Sequence, residues 1–193
     1  MINRNHLRMD LGTMRAHKFF LTSLILAVWA FASPVSAASF EDPKYSLEVK
    51  DEAGTKTLRD AFTKGPAILH FWATWCPNCR VELPAMERFE DELKAQGLDG
   101  QFVVVALEDV PYGRIQSFLQ DRLELERFTS YQAVDMQAVG TAFQVAAMPY
   151  TLFIDENGDV LGGIPGSLEW DAPQIKETFI GHLQGKGTIA SGN

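Results

Sequence analysis

The chain has 193 residues, 46% of them apolar and 22% charged, with a formal net charge of −8. That length suits one ordinary domain with a full core plus a segment at one end, and the composition fits a globular chain, not a low-complexity one. The acidic balance argues against nucleic acid as a partner, because that affinity rests on cations meeting phosphates, and it disfavours an anionic membrane face.

At the N-terminus, Arg4, Arg8, Arg15 and Lys18 lead into FFLTSLILAVWAFA, an uncharged run from Phe19 to Ala32. Its fourteen residues suit the apolar core of a signal peptide and fall short of the roughly 20 that a spanning helix needs. Val35 and Ala37 then sit at the small-residue positions before a cut between Ala37 and Ala38. Residues 1–37 are therefore read as an export signal, with an uncleaved membrane anchor as the alternative. Met14 gives a tidier start than Met1. Removing the segment takes away four of 17 basic and one of 25 acidic residues, leaving 13 and 24 and a net charge of −11. Export from a Gram-negative cell implies the periplasm.

The following elements are assigned to a domain over 38–184. YSLEVK (45–50) alternates like a strand and EAGT (52–55) turns it, which predicts an N-terminal β-hairpin extension. Thr57 is placed to cap a short helix, TLRDAF. After Gly65-Pro66, AILHFWA (67–73) reads as a buried strand. From Pro77 a helical period takes over, with Val81, Leu83, Met86, Phe89 and Leu93 expected on the buried face, and Gly97 and Gly100 end it. FVVVAL (102–107) is a second fully apolar strand, as central parallel strands tend to be. An amphipathic helix is predicted over about 113–125, then a weak strand near 129–134 and a short helix over 136–143. TLFIDENGDVLGG (151–163) holds two strands about a turn at Asn157-Gly158. A last helix over about 172–184 precedes a C-terminal tail, 185–193, expected to fray. Strands alternating with helices, followed by a hairpin and a helix, define an α/β fold with a mixed central sheet and helices on both faces.

The only two cysteines lie in FWATWCPNCRVELP, at 76 and 79. A bond between them closes a loop of four residues, for which chain entropy gives only about 2 kcal/mol against about 3 for a fifteen-residue loop. A structural role is thus weakly motivated. A structural zinc site wants four ligands, and beyond the export segment only His70 and His182 remain, without ligand spacing to each other. Two soft thiolates alone would suit copper(I), so a copper-handling or copper-site thiol-maintenance protein stays open as an alternative. Redox chemistry explains more of the neighbouring residues. Cys76 follows a strand where the next helix begins, and free N–H groups and the helix dipole favour thiolate there. Pro77 costs nothing in the first turn. Cys79, one turn on, lies beside Cys76 but deeper. An exposed, acidified Cys76 would attack a substrate disulfide and Cys79 would resolve the mixed intermediate.

Strand–FWATWCPNC–helix resembles the thioredoxin superfamily. The runs WATWCPNCRVELP and VAAMPYTLFIDENGDVLGGIPG are similar to its exported branch, the TlpA/ResA/DsbE-like thiol–disulfide oxidoreductases that include cytochrome c maturation reductases. The resemblance spans about Tyr45 to Leu183. It implies a thioredoxin fold and an enzyme that reduces disulfides of other exported proteins. No bound cofactor is implied beyond the Cys76–Cys79 disulfide itself, and a membrane thiol reductant would supply the electrons. Pro149 falls where the branch carries a cis-proline facing the disulfide, with Met148 giving backbone contacts to an extended substrate. Glu82 matches a glutamate kept near the thiols as proton acceptor; the alternative is a solvated helix glutamate. Trp75 and Trp72 would wall the site, with plain core as the equal alternative for Trp72. His70 departs from the pattern, standing where thioredoxin has a buried aspartate and this branch often asparagine. It would take the proton of Cys79 or rest as a neutral core imidazole. Pro77-Asn78 is neither the Gly-Pro of thioredoxin nor the Pro-His of the strong oxidant, and potentials in such proteins span roughly −270 to −120 mV.

Overall fold

A seven-stranded mixed sheet in the order β2-β1-β5-β4-β3-β6-β7 organises the chain. The computed structural model describes residues 40–63 and 65–187. The expected export signal over 1–37, and the tail from 188 onward, lie outside the described residues. Among those described, no helix is long and apolar enough to cross a membrane.

Tyr45 sits in a short 3-10 turn, Pro43–Ser46, not in a strand. The predicted hairpin follows as β1 (Glu48–Asp51) and β2 (Gly54–Thr57), paired antiparallel. Thr57 caps α1 (Leu58–Ala61) in a full capping box with Asp60, an exchange that satisfies two free N–H groups of the first turn. β3 (Ala67–Trp72) and β4 (Phe102–Ala106) are buried at every residue and run parallel. That two-sided burial is why both read as continuous apolar runs instead of alternating ones. β5 (Tyr131–Ala133) is parallel to β4. On the other side of β3 lies β6 (Tyr150–Ile154), antiparallel to it and to β7 (Val160–Pro165). The turn between them needs Gly158, whose φ is +87° and whose missing Cβ would stand 3.1 Å from Phe40.

Successive side chains of β3 point to opposite faces, and two cores result. One gathers Ile68 and Trp72 with α2 (Pro77–Ala95), α3 (Tyr112–Ser117) and α5 (Pro173–Leu183), around the rings of Phe89, Phe102, Trp170 and Phe179. The other gathers Leu69 and Phe71 with α1 and α4 (Met136–Ala142). Helices thus cover both faces, as expected.

Two further expectations are corrected. The helix predicted over 113–125 is α3 followed by a π-helical segment, Phe118–Arg122. The same apolar residues still face the core, because one wide turn keeps Leu119 buried and Phe118 and Leu123 partly so. On α2, Val81 is 81% exposed, while Glu82 is inside. At 100° per residue the stripe through Cys79, Leu83, Met86, Phe89 and Leu93 passes over position 82, and position 81 falls on the solvent side.

Candidate active site

β3 delivers the chain to the site and α2 begins there. Cys76 N–H donates to Ala73 O at 3.1 Å, closing a turn between strand and helix. Cys76 is the N-cap of α2, Pro77 occupies the first helical position, and the Cys79 N–H points at Cys76 Sγ from 3.2 Å. The two cysteines are joined as a disulfide with their Cα atoms 5.3 Å apart. The expectation of an exposed Cys76 is corrected: it is 4% exposed in this oxidised form, against 0% for Cys79. Cys76 belongs to the cluster of Trp72 and Ala73, against which Met148 packs. Cys76 remains the more accessible of the two.

Beneath the pair lies a polar group of four buried side chains. Glu82, one turn after Cys79 on the inner face of α2, is 4% exposed, so it is not a solvated helix glutamate. Its Oε2 accepts the Leu168 N–H and the Trp170 Nε1–H, each at 2.9 Å. Its Oε1 lies 3.3 Å from His70 Nε2. These two atoms face each other out of hydrogen-bond alignment and have no other partner. His70 is fully buried in the middle of β3, with Nδ1 2.9 Å from Thr151 Oγ1, its register partner on β6. The Trp170 ring meets the imidazole edge-on at 5.5 Å.

Pro149 precedes β6, and the Met148–Pro149 peptide is cis. Its carbonyl accepts the Gly166 N–H at 2.8 Å, tying it to the end of β7. Trp75 is 62% exposed and, with Leu107, Val110, Met136, Val145 and Met148, lines an open groove of about 750 Å³. Trp72 does not wall the site: it is core, with Nε1 donating to Ser130 Oγ at 2.9 Å. Trp170, Thr151 and Glu108 escaped the sequence reading. Only Trp170 carried a signal, as a large aromatic in a turn-rich stretch.

A strand–turn–helix unit with a Cys-Pro-Asn-Cys disulfide at the helix start, beside a cis-proline loop, defines a thioredoxin-like protein. The chain belongs to the Redoxin family, whose model matches residues 36–178. It is 31% identical over 117 residues to the thioredoxin-like protein YneN of Bacillus subtilis, covering 60% of this chain and 64% of that one. It is 30% identical over 136 residues to the thiol-disulfide oxidoreductase ResA of Oceanobacillus iheyensis, covering 70% and 66%. The chain thus spans just under two thirds of these relatives' lengths. A solved structure described as a putative thiol:disulfide interchange protein DsbE from Chlorobium tepidum superposes with a TM-score of 0.54 at 28% identity, over 70% of this chain and 92% of that one. These likenesses place the chain among TlpA/ResA/DsbE-like members of the thioredoxin superfamily.

Proposed function

We propose that this protein is an exported thiol–disulfide oxidoreductase that reduces disulfides of other periplasmic proteins, in cytochrome c maturation or a similar assembly task. The observation that carries this reading is the Cys76–Cys79 disulfide at the start of α2, with the buried Glu82 and His70 side chains beneath it. In the reduced protein the Cys76 thiolate attacks one sulfur of a substrate disulfide, forming a mixed disulfide and releasing the other substrate sulfur as thiolate. Cys79 then loses its proton and attacks Cys76 Sγ. The substrate's second sulfur leaves as thiolate, and the Cys76–Cys79 bond closes. Two electrons have passed to the substrate, and a membrane thiol reductant restores the dithiol. No bound cofactor takes part.

Glu82 shares the inner face of α2 with Cys79 and manages its proton. His70, 3.3 Å from Glu82 Oε1, gives that proton a second seat. The groove beside Trp75 and Met148 receives an extended substrate segment, and Pro149 shapes its wall. The copper alternative would use the same two sulfurs, and the relatives, named as thiol-disulfide oxidoreductases, do not favour it.

Reduction of a model protein disulfide tests the reading. The wild type reduces it, Cys76→Ser does not, and Cys79→Ser stalls as a covalent complex that names the partner when formed in native extract. Wild-type turnover by Cys76→Ser would exclude the nucleophile. A measured potential near the oxidising end of the range would reverse the direction.

A further inference from the structure

Glu108 is a buried acid in the wall of the Trp75 groove, with no part in the exchange steps above. It stands two residues beyond β4 and is 5% exposed. Oε1 accepts the Thr74 N–H and Oε2 the Thr74 hydroxyl, both at 2.8 Å. The Gln132 side chain of β5 donates to the carbonyls of Glu108 and Val110, at 3.0 and 2.5 Å, and so fixes the acid's own backbone. Leu107 N–H donates to Trp72 O at 2.9 Å, carrying the β3–β4 ladder up to the base of the turn that presents Cys76. Thr74 lies inside that turn. Two residues of chain span at most about 7 Å, which puts a carboxylate against Thr74 at a distance on the order of 10 Å from the nucleophile.

An uncharged amide would serve the same two Thr74 groups, its oxygen accepting the N–H and its nitrogen donating to the hydroxyl. What the carboxylate adds is negative charge, held where solvent screens it weakly and opposed to the helix dipole that favours a thiolate. We propose that Glu108 is a positioning residue that holds the Ala73–Cys76 turn and, as a buried anion beside it, disfavours the Cys76 thiolate and biases the couple toward the reducing side. Stabilising the thiolate makes such a couple a stronger oxidant; an anion acts the other way.

The inference rests on the Cys76–Cys79 couple being redox active, as proposed above. It compares variants of one couple, so it stands whichever direction that couple runs. The test is equilibration with glutathione, in which protein disulfide plus two glutathione thiols gives protein dithiol plus glutathione disulfide, read by alkylation and mass. Glu108→Gln is expected to shift the equilibrium toward dithiol by about 3- to 10-fold, the scale of one charge at about 10 Å under an effective dielectric of about 25–50. A tenfold shift corresponds to a rise of about 30 mV. Cys76 alkylation at neutral pH should quicken in the same variant. Thr74→Val removes half of the clamp and keeps the charge, so its equilibrium should match the wild type or move toward disulfide. Two results overturn the proposal: Glu108→Gln with the wild-type equilibrium, or Thr74→Val moving toward dithiol. Should Glu108→Gln fail to fold, Glu108→Ala takes its place in the same assay, with the same expected and overturning results. A wild type that does not exchange with glutathione at all would instead refute the redox reading itself.

Discussion

His70 Nε2 and Glu82 Oε1 oppose each other at 3.3 Å, both buried, and neither has any other partner. Every other polar atom of the two side chains is satisfied, by Thr151 on one side and by Leu168 and Trp170 on the other. Glu82 lies one helical turn below Cys79 on the inner face of α2.

Substituting Glu82 in two ways should separate its duties. Glu82→Gln retains an oxygen for the Leu168 and Trp170 N–H groups, so the fold should persist while the resolving step slows by about 10²-fold or more, as for a lost acid–base group. Glu82→Ala strands two buried donors at about 1–3 kcal/mol each, and urea denaturation should show that loss. Stopped-flow decay of a trapped mixed disulfide reads the first effect. A wild-type decay rate in Glu82→Gln would remove Glu82 from proton handling.

The face of α2 can be checked without chemistry. Val81→Lys should change stability by no more than about 0.5 kcal/mol, because position 81 is exposed. Met86→Ala, at a fully buried site of the same helix, should cost about 2–5 kcal/mol. Equal losses in the two variants would mean that the helix is rotated from the arrangement described.

Trp75 offers a test of the groove. Trp75→Ala should leave the urea midpoint close to wild type, since the ring is largely in solvent. The KM for a protein disulfide should rise by about tenfold or more, as when an aromatic anchor is removed, with kcat less affected. Unchanged KM across several protein substrates would count against the groove as a docking site.

Stability should depend on pH through His182. The ring is buried on α5, its Nε2 directed at the carbonyls of Ala67 and Ile154 at 3.2 and 3.1 Å. Burial pushes the imidazole below its ordinary range, the carbonyls opposing only in part. The unfolded chain therefore takes up the proton first as pH falls through about 6.5. Stability drops across the window from there down to the lowered native value, and this group contributes no slope well above the window. Urea midpoints at about pH 7.5 and 5.5 should differ in that sense, and His182→Gln should flatten the difference. The same slope in both proteins would assign the effect elsewhere.

Most of the frame was legible along the chain because it rests on local patterns. The apolar runs of β3 and β4, the Thr57 cap, the Asn157-Gly158 turn and the start of α2 at Pro77 each declare themselves within a few residues. The inner face of α2 did not. Val81 reads as core when it is grouped with the apolar run, Glu82 was marked only by the family resemblance, and nothing local says that this glutamate is met by Trp170 from 88 positions away. Thr151 and Glu108 were illegible for the same reason, lying 81 and 34 positions from His70 and Thr74, the groups they hold. The polar half of the site is assembled by tertiary contact alone.

Phe40 stacks on Phe62 and packs against Gly158, and the Tyr45 hydroxyl donates to the Gly158 carbonyl at 2.8 Å. That glycine belongs to the bend after Ile154, which pairs with Ala67 at the beginning of β3, whereas Cys76 lies past Trp72 at its finish. Five strand steps, roughly 17 Å, divide the two poles. Phe40 thus docks at the pole opposite Cys76, so a support coupled to the chain that precedes it would leave the sulfur pair facing away, open to large clients.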